Sequence, residues 1–160
     1  MMADYSRAKK TAFGKLSFDS EAEKKFYRDY LAGWPWRVEV HPNYEVRSSY
    51  TLGGYKCRSR HYKPDFVVYG PDNKIIHVYD VKASIVPKRD KDRKQKTAKV
   101  FVNPSMRKSI DDFQRHYGIP VELVAPMAGR FRMTILGTTV PIGVYEFRGC
   151  EYDVSKIIGK

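Results

Sequence analysis

Between Lys63 and Lys82 the chain reads Lys-Pro-Asp-Phe-Val-Val-Tyr-Gly-Pro-Asp-Asn-Lys-Ile-Ile-His-Val-Tyr-Asp-Val-Lys. Two stretches rich in Val, Ile, Phe and Tyr flank the turn-forming residues Gly70 to Lys74, which leaves few options other than a β-hairpin. A turn centred between Asp72 and Asn73 sets position 65 opposite 80 and position 63 opposite 82. Side chains alternate faces along a strand, so Asp65, Asp80 and Lys82 fall on one face. Two carboxylates brought together among apolar strands are costly unless a cation joins them. The spacing therefore asks for a metal ion.

The rest of the chain suits a polyanionic partner. Thirty Lys and Arg stand against 18 Asp and Glu in 160 residues, a net charge of +12. An excess of this size favours nucleic acid, since each phosphate contact releases condensed counterions. The two cysteines, Cys57 and Cys150, form no CxxC pair, and the four histidines make no zinc spacing. Free thiols in a cytoplasmic setting are expected. No apolar stretch has the length of a membrane span, and the first residues lack the apolar segment of a signal peptide.

One domain is expected from about residue 18 to 160, with a core to about 124, a C-terminal β-hairpin extension over 125–160, and a mobile basic arm over 1–17. A first helix is predicted from Ser20 to Ala32 before Gly33, with Ala22, Phe26, Tyr27, Tyr30 and Leu31 as its inward stripe. An extended segment over Val38–Val46 is broken at Pro42. A second helix has Asn103 as cap, Pro104 at its first position and Gly118 as its stop. Pro120–Val124 reads as a buried strand, and Arg130–Leu136 with Val140–Phe147 as a hairpin. The order implies an α/β (α+β) fold: a central mixed sheet flanked by helices.

Asp65, Asp80 and Lys82 form the pattern P-D-x14-D-x-K. Hard cations such as Mg2+ take carboxylate oxygens, and Mn2+ substitutes readily. Asp65 and Asp80 would hold the ion, the Val81 carbonyl would add an oxygen, and Lys82 would orient water or offset phosphate charge. The alternative is an Asp80–Lys82 salt bridge with Asp65 at a turn. Glu23 borders the stripe of the first helix, whereas Glu21 lies about 200° around it. Ser20-Glu-Ala-Glu23 also matches a capping box, so Glu23 reads equally as ligand or as cap. His41, beside Pro42, is a candidate for a place next to the ligands. Arg58, Arg60 and Lys63, interleaved with Tyr55 and Tyr62, are candidates for backbone contacts with nucleic acid. The run Lys88–Lys99 (Lys88, Arg89, Lys91, Arg93 and Lys94 among its basic residues) reads as a flexible phosphate-gripping loop or as a solvated charge run.

These residues resemble the PD-(D/E)xK nuclease superfamily, and within it a family of small phage-encoded, Holliday-junction-resolvase-like endonucleases. The matching pieces are Phe18-Asp19-Ser20-Glu-Ala-Glu23, His41-Pro42, Tyr62-Lys-Pro-Asp65-Phe66, Asp80-Val81-Lys82 and His116-Tyr117-Gly118, over roughly residues 14–124. The resemblance implies a restriction-endonuclease-like core, magnesium-dependent DNA cleavage, Glu23 as a ligand, and branched DNA as a substrate. His41 stands where that family tends to carry Gln, Ala83 where it tends to carry Gly, and the run from Lys88 to Lys99 is longer than that family's pattern. Symmetrical cutting of two strands would favour a homodimer. Two other readings compete: a basic nucleic-acid-binding module without chemistry, and a restriction or end-processing nuclease on the same core.

Overall fold

The computed structural model describes residues 11–13, 16–82, 86–88, 97–99, 102–127, 129–138, 143–146 and 149–158. It is an α+β fold around a central mixed sheet. In chain order the elements are β1 (Thr11–Phe13), β2 (Leu16–Phe18), α1 (Glu21–Phe26) continued by a π-turn (Tyr27–Leu31), β3 (Val38–Val40), β4 (Tyr44–Arg47), β5 (Tyr50–Leu52), β6 (Tyr55–Cys57) and β7 (Arg60–Tyr62). There follow β8 (Phe66–Tyr69), β9 (Ile75–Val81), β10 (Val86–Lys88), β11 (Thr97–Lys99), α2 (Pro104–Tyr117), β12 (Glu122–Met127), β13 (Arg130–Thr134), β14 (Gly143–Tyr145) and α3 (Val154–Ile158). Six strands form the main sheet in the order β14-β13-β12-β9-β8-β3. Only the β9–β12 pair is parallel.

The β8–β9 hairpin forms as its sequence requires, by a slightly different route. Its last pair is Tyr69↔Ile75, so the turn centres on Asp72, with Asn73 in the left-handed region at φ 59°. An irregularity between Val68 and Tyr69 shifts the ladder, and Phe66↔Tyr79 restores the expected register. Carried one step further, Asp65 lies opposite Asp80, and the Asp65 N–H donates to the Tyr79 carbonyl (3.0 Å). Lys63 does not pair with Lys82. The Lys82 N–H instead donates to the Val124 carbonyl of β12 (2.7 Å), because β9 continues alongside its parallel neighbour after β8 has ended.

Alternation along these strands separates two cores. Phe66, Val68, Tyr79 and Val81 pack with Phe26, Tyr30 and Leu31 of the first helical segment and with Phe131 and Met133. Val67, Val78 and Leu123 pack with Ile110 and Phe113 of α2 and with Val46 and Tyr62. Full burial of each such side chain contributes roughly 1.5–3 kcal/mol before entropy is counted. Ser20 caps α1, its Oγ accepting the Glu23 N–H (3.2 Å). Asn103 caps α2 through the Met106 N–H (2.7 Å), and Gly118 ends that helix at φ 66°, where a side chain would be strained.

Two expectations need correction. The segment 1–17 is not simply a mobile arm: β1 and β2 pair antiparallel, and Phe18 is fully buried against α1, tying them down. Residues 1–10 lie outside the described residues. The run Lys88–Lys99 is not a loop throughout, because β10 and β11 pair as a ribbon (Lys88↔Thr97), backed by β-prone Val86 and Thr97. Arg89, Lys91, Arg93 and Lys94 lie outside the described residues, as does the side chain of Lys88. The expected C-terminal hairpin is present and continues the main sheet as β13 and β14. Cys150 and Val154 complete the core beside α1.

Candidate metal centre

The site lies where β8 and β9 open beyond the Phe66↔Tyr79 pair, beside the start of α1 and the end of β3. Glu23 occupies the first turn of α1 and is only 5 % exposed. The capping reading holds, and the same carboxylate faces His41 as well. Its Oε2 accepts the Asp19 N–H (3.2 Å), a capping contact, and also lies 3.0 Å from His41 Nε2. Glu21 is exposed.

His41 is held between three acids: its Nε2 is 3.0 Å from Glu23 Oε2, 3.5 Å from Asp19 Oδ2 and 3.7 Å from Asp65 Oδ1. Its backbone sits at φ 53°, sparsely populated for a residue with a Cβ. The His41 N–H donates to the Asp65 carbonyl (3.0 Å), so the strained residue is pinned to the end of β8.

Asp65 Oδ2 accepts the Val81 N–H at 2.6 Å. Val81 thus meets Asp65 through its amide nitrogen, where its carbonyl was expected to serve an ion. Burial, then the negative charges of Asp80 and Glu23, hold the Asp65 carboxyl well above the ordinary carboxylate range; the Val81 N–H and Lys82 pull the other way more weakly. Asp80 is 4 % exposed. Its Oδ2 accepts the Tyr62 hydroxyl proton (2.8 Å) and its Oδ1 pairs with Lys82 Nζ (2.7 Å). Burial and the Asp80 charge push the Tyr62 phenol well above its usual value, so it remains a donor.

The tightest ligand set among the described residues is Asp19, Glu23 and His41, with one donor atom from each within 4.8 Å of the others. The three acids anticipated from sequence are therefore arranged as a row. Glu23 stands with Asp19 and His41, Asp65 is next, and Asp80 is held between Lys82 and Tyr62. The carboxylate oxygens of such a site suit a hard divalent ion such as magnesium or manganese.

Two members of the site were not singled out, Asp19 and Tyr62. Both lie within the motif pieces that carry Glu23 and Asp65, which was the available signal. Of the expected nucleic-acid contacts, Arg58 and Lys63 are exposed. Arg60 is not free: its Nε faces Asp112 Oδ2 of α2 at 3.8 Å, and its Nη1 is buried with no hydrogen-bond partner among the described residues.

Residues 2–110 match the family model described as "Protein of unknown function (DUF1064)", which covers more than half of the chain. The chain belongs to the DUF1064 family. No curated protein and no solved structure matches it. The stretch shared with DUF1064 includes Asp19, Glu23, His41, Asp65, Asp80 and Lys82, and it ends within α2. No described helix is long and apolar enough to cross a membrane.

The charge at Asp65 gives a stability prediction. The folded-state pKa is raised above the ordinary 3.8, so without metal the stabilising state is the protonated one. That contribution is complete below the unfolded-state value and is lost as pH rises through the folded-state value. Asp65→Asn keeps an acceptor for the Val81 N–H and cannot ionise. In chelator at mildly alkaline pH the variant is expected to melt higher than wild type by a few degrees, on the order of 1 kcal/mol. The gap should close in acid, and added magnesium should raise the melting temperature of wild type only. Equal melting curves across pH would show that Asp65 carries no uncompensated charge.

Proposed function

We propose that this protein is a magnesium-dependent DNA endonuclease that hydrolyses phosphodiester bonds, with branched DNA as its preferred class of substrate. The observation that carries the reading is a buried row of acids drawn from three separate segments, beside a lysine, at the mouth of a hairpin. Acids repel phosphate, so a site built only to grip DNA would have no use for them. The PD-(D/E)xK resemblance gives the same residues the same roles, and the net charge of +12 supports a polyanionic substrate.

When bound, a divalent ion supplies Lewis acidity toward a phosphate oxygen and makes a neighbouring water more acidic. Glu23, Asp65 and Asp80 would hold it, with Asp19 completing the donor set. Lys82, kept in place by Asp80, carries an ammonium group that offsets charge building on the phosphate. Tyr62 fixes the rotamer of Asp80 from the opposite side, and His41 fixes Glu23. In-line attack by water would leave a 5′-phosphate and a 3′-hydroxyl.

The test is incubation of the purified chain with supercoiled plasmid and with a synthetic four-way junction, with magnesium or with chelator. Metal-dependent nicking is expected, faster on the junction. Intact substrates in every lane would end the hydrolytic reading.

A further inference from the structure

The turn after β5 is Gly53-Gly54, both at positive φ (52° and 83°), a conformation suited to a two-residue hairpin turn. The register Tyr50↔Cys57, Thr51↔Lys56 and Leu52↔Tyr55 puts Tyr50, Leu52, Tyr55 and Cys57 on one face and Thr51 and Lys56 on the other. The first face is bare. Tyr50 is 47 % exposed, Leu52 64 % and Tyr55 78 %. Among the described residues the ribbon pairs with no third strand. A two-stranded ribbon holding its large apolar side chains out to water gains little from folding, so this face suits an occupant.

Charge indicates which occupant. From Tyr44 to Lys63 the chain carries five basic residues (Arg47, Lys56, Arg58, Arg60 and Lys63) and one acid, Glu45. Arg47, Lys56, Arg58 and Lys63 are exposed, and the Arg47 guanidinium lies over the Tyr50 ring, 5.4 Å from its centre. Flat rings framed by cations match stacked bases on a phosphate backbone. The ribbon also leads into the candidate site. Strand β6 passes through Arg58 and Ser59 into β7, whose Tyr62 donates to Asp80. The eight residues from Tyr55 to Tyr62 span at most about 25 Å, the length of a few nucleotides.

We infer that the β5–β6 ribbon is a stacking platform for unpaired nucleotides, and that it holds the single-stranded part of a DNA substrate beside the candidate metal centre. The inference rests on the endonuclease reading for its substrate, and it supplies a reason for preferring branched over continuous duplex. Paired bases hide their faces, whereas a junction, flap or frayed end presents them. Lys56, Arg58 and Lys63 would grip phosphates whatever the pairing.

The test is binding of the full chain, in chelator so that no strand is cut, to a fluorescent single strand, a blunt duplex and a four-way junction. The double variant Tyr50→Ala/Tyr55→Ala should bind the single strand and the junction roughly ten-fold or more weakly, with duplex affinity changing by less than about two-fold. Tyr55→Phe, which keeps the ring, should bind as wild type does. A parallel loss on all three DNAs, or no loss on any, overturns the inference. So does a shift from dimer to monomer in sedimentation of the double variant, which would assign this face to a second copy of the chain. If wild type fails to cleave with magnesium while the single-strand and duplex affinities still separate, the hydrolytic reading falls and the stacking surface stands.

Discussion

Asp80→Asn is expected to lower magnesium-dependent cleavage at least about a thousand-fold while leaving the chain folded. The loss follows from removing one negative charge from the row proposed to hold the ion, where several kcal/mol of transition-state stabilisation is at stake and each 1.36 kcal/mol is about ten-fold in rate. The fold should survive because asparagine has the same outline and can still accept the Tyr62 hydroxyl proton. Lys82 is 21 % exposed in its side chain and can turn to water when its partner is neutralised. Cleavage, DNA binding and thermal melting should be measured on the same preparations. Retained cleavage sinks the assignment of Asp80. A collapsed melting transition would mean instead that the Asp80–Lys82 pair holds β9 together, which is the salt-bridge reading open from sequence.

The second large effect is on stability and lies away from that row. Glu122 and His77 are both fully enclosed, with His77 Nδ1 2.7 Å from Glu122 Oε2 and His77 Nε2 2.8 Å from the Cys150 carbonyl. The Tyr152 hydroxyl donates to Glu122 Oε1, and the Tyr79 and Tyr152 hydroxyls are 2.7 Å apart. A carbonyl only accepts, so Nε2 carries a proton. Glu122 Oε1 accepts from Tyr152 and Oε2 shares a proton with Nδ1, so every member of the network is satisfied. Removing one partner leaves buried polar groups unmatched and costs on the order of 1–3 kcal/mol. Glu122→Ala should therefore unfold at markedly lower denaturant concentration. The network ties the segment around Cys150 and Tyr152 to the sheet, and burial pushes the Cys150 thiol up to about 12. In a Cys57→Ser background, Glu122→Ala should also let a thiol reagent reach Cys150. An unchanged midpoint with Cys150 still protected would show that the network contributes nothing.

The parts of this structure that were legible in the sequence are those fixed by local chemistry. Asn103-Pro104 and Gly118 bracket α2 because cap, first-position proline and left-handed stop each act within a turn of the helix. The β8–β9 register was legible because strong turn residues lie between two apolar runs, although the bulge that preserves it was not. Three things depended on contacts across the chain and could not be read. The β1–β2 pairing depends on Phe18 finding the core beside α1, and α3 depends on Val154 doing the same. The His77–Glu122 pair joins residues far apart in sequence, and neither carries a local signal. At the candidate site, Glu23 was ambiguous because one carboxylate serves the helix end and faces His41 as well. Asp80 was expected in the same ligand cluster as Glu23, yet its oxygens go to Tyr62 and Lys82, a phenol from β7 and an ammonium two residues further along its own chain, just past β9.

The row of acids also has a consequence for when activity can first appear. Glu23, His41, Asp65 and Asp80 meet only across the finished β3–β8–β9 arrangement, with Lys82 anchored by β12, which is made some forty residues later. A nascent chain, or one that has lost its sheet to heat or proteolysis, would keep its positive charge and its attraction to polyanions. It would lack the assembled row of acids, so the cleavage proposed for it would begin only with a completed sheet.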